Sequence, residues 1–243
     1  MDEHSASHQI VADDKSFSSG VLAPVGKYRH VFVAGGTFAY HDGNNPALHG
    51  TVTVLQTRFV LMQTAAQTVT FTRSVMLRGQ VSKRDSNGEE VLVQAEPYGS
   101  NDFQTVARTT TSNGFWQTLV KPRRNTVYQA VWNNVPSDGK SVLVRPLLRL
   151  RPASAGRVAV SASADVSLRG HRVLLQRLSR RLHMWRTFAS VRLRRFNYTS
   201  TAYIASAVVR LHVRHGTIVR AFMTGAQAGP AMSGPTWSRS LRA

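Results

Sequence analysis

Leu174-Leu175-Gln176-Arg177-Leu178-Ser179-Arg180-Arg181-Leu182-His183-Met184-Trp185 is the one long stretch of this 243-residue chain that reads two ways. Its leucines recur near helical spacing, which would give a basic amphipathic helix. The rest of the chain argues for strands. Residues 74–79, 91–94, 126–132 and 141–144 are β-rich runs with a period of two. Turn material separates them: Asp85-Ser86-Asn87-Gly88, Gly99-Ser100-Asn101-Asp102, Ser112-Asn113-Gly114 and Pro136-Ser137-Asp138-Gly139. An internal repeat then removes the helix. Leu92-Val93-Gln94 recurs as Leu174-Leu175-Gln176, and Phe103-Gln104-Thr105-Val106-Ala107 as Trp185-Arg186-Thr187-Phe188-Ala189, both 82 residues later. Val75-Met76-Leu77-Arg78-Gly79 finds a third match in Val166-Ser167-Leu168-Arg169-Gly170, 91 residues on, so the second copy is nine residues shorter across its hairpin loop. The first copy is strand–turn–strand, and residues 174–189 are therefore expected to form an Arg-rich hairpin.

The expected fold is all-β, with three parts: residues 1–55, a β-sandwich over 56–151, and a second, Arg-rich sandwich over 152–243. Leu150-Arg151-Pro152-Ala153-Ser154-Ala155-Gly156 is expected to be the linker between the sandwiches. Turn signals every 8–14 residues suit such sandwiches.

Charge is distributed unevenly. Residues 1–144 carry 13 Lys and Arg against 11 Asp and Glu; residues 145–243 carry 18 Arg, no Lys and one acid, Asp165. A field of that sign attracts polyanions such as nucleic acid, acidic polysaccharide or anionic envelope polymers, and it also arises as plain surface solubility. Arg177, Arg180, Arg181, Arg186, Arg192, Arg194 and Arg195, interleaved with His183, Trp185 and Phe196, are the candidate polyanion-binding residues.

Cysteine is absent, which excludes disulfides, zinc–thiolate sites, iron–sulfur clusters and thiol catalysis. No P-loop, Rossmann glycine fingerprint or nucleophile elbow is present, and the scarcity of acids disfavours a paired-carboxylate hydrolase. The expectation is a protein without catalytic residues or a small-molecule substrate. No apolar run reaches the ~18 residues of a membrane helix, and no signal peptide precedes the polar start Met1-Asp2-Glu3-His4.

Upstream of the repeat stands Gly36-Thr37-Phe38-Ala39-Tyr40-His41-Asp42-Gly43-Asn44-Asn45-Pro46-Ala47-Leu48-His49-Gly50-Thr51-Val52-Thr53-Val54, and before it Ser7-His8-Gln9-Ile10-Val11-Ala12-Asp13-Asp14. These residues resemble the C-terminal ligand loop and first-histidine strand of the cupredoxins, the plastocyanin-like blue-copper proteins, over about 47 positions. The resemblance implies a partial Greek-key sandwich. It implies a four-ligand copper site falling on His8, Asp42, Asn45 and Leu48. Of these only His8 keeps the family's residue type; Asp42 stands for the cysteine, Asn45 for the second histidine and Leu48 for the methionine. A blue-copper centre needs its thiolate, so the site is expected to be vestigial and the chain to hold no cofactor, with copper-mediated electron transfer as the alternative. His41 and His49 lie near those positions as candidate donors for a repurposed site. The strands that precede the first histidine in that family are expected to be missing, as is any export signal ahead of them.

The repeat resembles the immunoglobulin-like domains found in tandem on exported bacterial proteins. The match rests on the Leu-x-Gly entry strand, the Val-x-Val-Gln strand, an aromatic-x-Thr-Val-Ala strand, and Asn125-Thr126-x-Tyr128 after Val120-x-Pro122. That resemblance implies an extracellular or cell-envelope spacer or adhesive protein. Trp116, Tyr128 and Trp132 are expected to be core aromatics, with a sugar-binding platform as the alternative. His212 and His215 are not expected to converge, since the second sits at the Gly216 turn.

Overall fold

A computed structural model of the chain describes residues 6–32, 35–55, 58–83, 85–154, 156–179 and 181–243. It divides into two compact units, Met1–Arg58 and Phe59–Ala243. The architecture is all-β. The one helix among the described residues is a single turn, α1 (Gly225–Ala228), closed by a Thr224–Gln227 capping box. Among the described residues, no helix is long and apolar enough to cross a membrane.

The first unit is an antiparallel sheet of β1 (Ile10–Ala12), β2 (Gly36–Asp42) and β3 (His49–Val54), in that order. Its interior is small. Phe17 is buried against the rings of His30 and Phe32, with centroids 4.5 and 5.6 Å away, and Phe32 packs on Phe38 at 4.7 Å. Val25 and Leu55 are each 86% exposed, so much of the unit's apolar content stays in water.

The second unit begins with β4 (Val60–Thr64), β5 (Thr68–Thr70), β6 (Val75–Val81), β7 (Glu90–Pro97), β8 (Gln104–Thr110), β9 (Phe115–Val120), β10 (Thr126–Trp132), β11 (Val135–Pro136) and β12 (Lys140–Arg145). These form two sheets, β4-β6-β9 and β5-β12-β10-β7-β8, with β11 paired to β10. Strict alternation builds the core between them. In β10, Thr126, Tyr128, Ala130 and Trp132 face inward and the residues between face out. Leu77, Val91, Val93, Trp116 and Val142 complete that core. Burial pushes the Tyr128 hydroxyl up to about 12, and the Trp132 indole donates to Glu89 Oε2 at 3.3 Å. Trp116, Tyr128 and Trp132 are each 3% exposed and therefore offer no sugar platform.

There follow β13 (Leu147–Pro152), β14 (Arg157–Ala164), β15 (Arg172–Ser179), β16 (Met184–Arg192), β17 (Arg195–Thr199), β18 (Ala202–Arg210), β19 (Ile218–Met223), β20 (Thr236–Trp237) and β21 (Leu241–Arg242). They also form two sheets, β13-β14-β18-β17 and β16-β15-β19-β20, with β21 paired to β19. The stretch that read two ways is a hairpin: β15 and β16 run antiparallel, Arg177 opposite Arg186 and Leu178 opposite Trp185. The ladder carries a bulge between Leu175 and Gln176, and the β7–β8 ladder carries one between Val93 and Gln94. The two irregularities stand at the same 82-residue offset as the sequence match. Bulges alter a strand's twist and the aim of its side chains.

Two expectations are corrected. Residues 166–170 do not repeat the strand at 75–79; they lie in the loop between β14 and β15. The shared Leu-x-Gly has different causes in the two places. Within β6, a Cβ on Gly79 would meet the Leu61 carbonyl at 1.7 Å, whereas Gly170 sits in a turn at φ +87°. Residues 150–156 are likewise not the joint between sandwiches. Leu150, Arg151 and Pro152 belong to β13, which pairs with β14 around a tight turn, and the chain passes from one sandwich to the next at Pro146. The joint is closely packed: Phe71 and Val144, from before it, are buried in the same cluster as Leu148, Val160 and Met223.

Candidate functional site

Two places gather the residues singled out in the sequence. The first is Asp42, the last residue of β2, whose main-chain partner across the ladder is Ile10. That register brings the segment before β1 alongside the loop after β2. The Asp42 carboxylate is buried beneath them. Its Oδ1 accepts from the main-chain N–H of Gln9 and of Asn44, both at 2.9 Å, and its Oδ2 lies 2.6 Å from His8 Nδ1. These hydrogen bonds, the Gln9 amide first and the His8 ring next, hold the carboxyl down at about 2. The loop closes through further main-chain bonds, from Asp42 N to Leu48 O and from Leu48 N to Asn45 O.

The other expected ligands do not join this knot. Asn45 and Leu48 are exposed, and Leu48 carries no donor atom. His41 turns to the other face and bonds Asp13 Oδ1 at 2.6 Å, while His49 Nδ1 lies 3.1 Å from the Ala47 carbonyl. Among the described residues, no three or more His, Cys, Asp or Glu side chains gather closely enough to hold a metal ion. The His8–Asp42 pair itself tests the fit of copper. Two donors each ~2 Å from one ion at a tetrahedral angle stand ~3.3 Å apart, but these two are at hydrogen-bond distance. With no thiolate and no thioether, the residues present do not fit a blue-copper ion. What the arrangement does chemically is fasten chain to chain.

The second place is an open cleft of about 730 Å³ between the β15–β16 hairpin and the connection from β18 to β19. Arg177, Arg181 and Arg186 line it from the hairpin; Arg214 and His215 line it from the other side. All five are exposed, and among the described residues no acid and no Phe, Tyr or Trp lines the cleft. Arg177 and Arg186 are direct cross-strand neighbours, an arrangement of like charges that costs stability on its own.

The remaining candidates are placed differently. Arg180 lies outside the described residues. Arg192 is at the far end of β16 and donates to the Gly170 carbonyl at 3.1 Å. Arg194 and Arg195 follow Leu193, which is fully buried where the chain crosses to the opposite sheet. The aromatics leave the cleft too. Trp185 is covered by the Arg220 guanidinium, 4.2 Å above its ring, and Phe196 stacks on Tyr203 at 5.8 Å. Desolvation lowers the pKa of Arg220, whose Nε donates to Gln176 Oε1 at 2.9 Å. Sequence reading missed Arg214 as a cleft residue. It is distant in sequence from the hairpin, and only strand pairing between β15 and β19 brings the two together.

No protein-family model matches the chain, and no curated protein matches it.

Proposed function

We propose that this chain is a non-enzymatic, exported modular β-protein of the cell envelope. Its two sandwiches, immunoglobulin-like in strand order, act as a spacer and an adhesive unit, and the second grips an anionic polymer. The arginine cleft carries this reading: four guanidiniums and an imidazole converge on one open concavity with no acid among them. Its lack of Phe, Tyr or Trp among the described residues favours a chain of phosphate, sulfate or carboxylate groups over stacked nucleobases. Support for the immunoglobulin-like architecture comes from the order of the sheets. In the first sandwich β4, β6 and β9 pair on one side, in the second β13, β14, β18 and β17, and in each the hairpin carrying the bulge lies on the other side. The first unit keeps a cupredoxin-like loop as structure, with Asp42 fastening it where a thiolate would bind metal.

Retention of the intact protein on heparin or a polyglycerol-phosphate matrix tests the reading. Strong retention that falls steeply with salt is expected. Replacing both Arg177 and Arg186 with alanine is expected to weaken binding roughly tenfold or more at low salt and to flatten the salt dependence. Replacing Arg192 and Arg195, which lie outside the cleft, is expected to change it far less. Equal losses from the two pairs, or no retention at physiological salt, overturn the cleft as the binding site. Adding Cu(II) is expected to produce no intense visible charge-transfer band; such a band would restore the electron-transfer alternative.

A further inference from the structure

The first sandwich carries a groove of about 710 Å³ over the outer face of the sheet β4-β6-β9. Its floor is made of side chains that alternate with the buried ones along each strand. They stand in two cross-strand rows. In one, Leu61 is opposite Gln80 and Gln80 opposite Phe115; in the other, Gln63 is opposite Arg78 and Arg78 opposite Gln117. The end of β8 forms a wall, with Thr109, Thr110 and Ser112 lining the groove. The Thr109 hydroxyl donates to the Gln117 carbonyl at 3.0 Å and ties that wall to the floor.

The lining combines open apolar surface with polar groups that have no partner. Leu61 and Phe115 are 50% and 61% exposed. Glutamines elsewhere on the sheets are tied down: Gln129 Nε2 donates to Gln94 at 2.8 Å, and Gln176 accepts from Arg220 at 2.9 Å. Among the described residues, no hydrogen bond holds the side chain of Gln63, Gln80 or Gln117. Arg78 is the one charged side chain in the lining, and no acid lines the groove beside it. Trp116 also lines it and is 3% exposed, yet its indole Nε1 has no acceptor among the described residues. The adjoining Cε2 lies 2.9 Å from where a Cβ on Gly79 would stand, and Gly79 is part of the groove.

We infer that this groove binds an acidic saccharide, a hexuronate unit whose carboxylate pairs with Arg78. The guanidinium fork matches a carboxylate with two parallel hydrogen bonds. Amide side chains donate and accept at once, as sugar hydroxyls do, so the three glutamines match the groups around the ring. The C–H face of the pyranose covers Phe115, the exposed ring of the groove. A sugar oxygen seated at Gly79 supplies the acceptor that the Trp116 indole lacks. Other occupants fit less well. A polyphosphate has no apolar face to lay on Leu61 and Phe115. An extended peptide takes its main-chain hydrogen bonds at a sheet edge, whereas this groove lies over a sheet face. The site belongs to the other sandwich from the arginine cleft and does not depend on it.

Titration of the isotope-labelled full chain with trigalacturonate, followed by NMR, tests the site. Saturable shifts are expected in the side-chain amide signals of Gln63, Gln80 and Gln117 and in the Trp116 indole N–H. Arg78→Gln is expected to weaken binding roughly tenfold or more, and Phe115→Ala about tenfold. Both side chains are exposed, so unchanged circular-dichroism spectra are expected. Cellotriose, which lacks the carboxylates, is expected to bind at least roughly tenfold more weakly. Shifts confined to the arginine cleft, or no shifts at all, overturn the proposal. So does cellotriose that binds as tightly, or a folded Arg78→Gln chain that binds like wild type. A Glu-Phe-Glu peptide that saturates the same signals at lower concentration overturns the saccharide in favour of a protein partner.

Discussion

Replacing Asp165 with alanine is expected to destabilise the unit Phe59–Ala243 by about 1–3 kcal/mol, the largest loss from any single acid in it. Asp165 is the one acid among residues 145–243, and it does not serve solubility. Its side chain is 10% exposed. Arg123 Nε donates to Oδ1 at 2.6 Å, and Arg124 Nε donates to Oδ2 at 2.8 Å. Both arginines precede β10 in the first sandwich, while Asp165 follows β14 in the second. The next residue continues the clasp: Asn125 Nδ2 donates to Pro230 O at 3.0 Å and its main-chain N–H to Ala231 O at 2.9 Å. Removing the carboxylate leaves two adjacent guanidiniums without their shared acceptor. These are 49% and 34% exposed and can rehydrate, so the loss falls below that of a fully buried pair. Scanning calorimetry is the measurement, with a melting shift of roughly 3–10 °C expected for a unit of this size. Asp165→Asn keeps an acceptor and is expected to cost less. A melting temperature unchanged in the alanine variant would show that packing and the Asn125 hydrogen bonds hold the joint without the carboxylate.

Alternation made most of the strands legible, because a half-buried strand has to place apolar groups at every second position. The run at 126–132 became β10 without a residue gained or lost. The ambiguous arginine-rich stretch was decided by its likeness to β7–β8, and the shared bulge gives that likeness a physical basis. The misread places share a cause: short motifs whose local chemistry is the same in strand and loop. Val166-Ser167-Leu168 alternates like a strand, but Leu168 is 1% exposed because the loop tucks it into the core. A Pro-Ala-Ser sequence looks like a linker and is here a hairpin turn, whereas the true crossing needs only Pro146. Asp42 was singled out by its place in the Gly36–Val54 segment, although its hydrogen bonds to Gln9 and Asn44 could not be read there. The arginine cleft was half visible. Seven arginines close in sequence suggested one patch, yet the buried Leu193 sends the chain to another sheet and separates Arg194 and Arg195 from Arg177.

Acidification is expected to loosen the first unit in a way that depends on Asp42. A carboxyl held at about 2 in the fold and near 3.8 when free favours the folded form whenever it is ionised. The stabilisation is complete above the free value and disappears as pH falls through the folded one, so the sensitive window lies between about pH 4 and pH 2. Proton uptake there weakens the acceptor for the Gln9 and Asn44 amides and removes the charge facing His8. Those two N–H groups are therefore the reporters. Their hydrogen exchange, followed by NMR, is expected to accelerate across that window in the wild-type chain. In Asp42→Ala they are expected to exchange quickly at every pH, and the segment before β1 to separate from the loop after β2. Asp42→Asn distinguishes charge from shape: it can still accept from both amides, so protection is expected to be reduced but flat with pH. Exchange at Gln9 and Asn44 that stays slow in the alanine variant would mean that the β1–β2 ladder holds this loop without the carboxylate. In that event Asp42 would be a bystander to the fold.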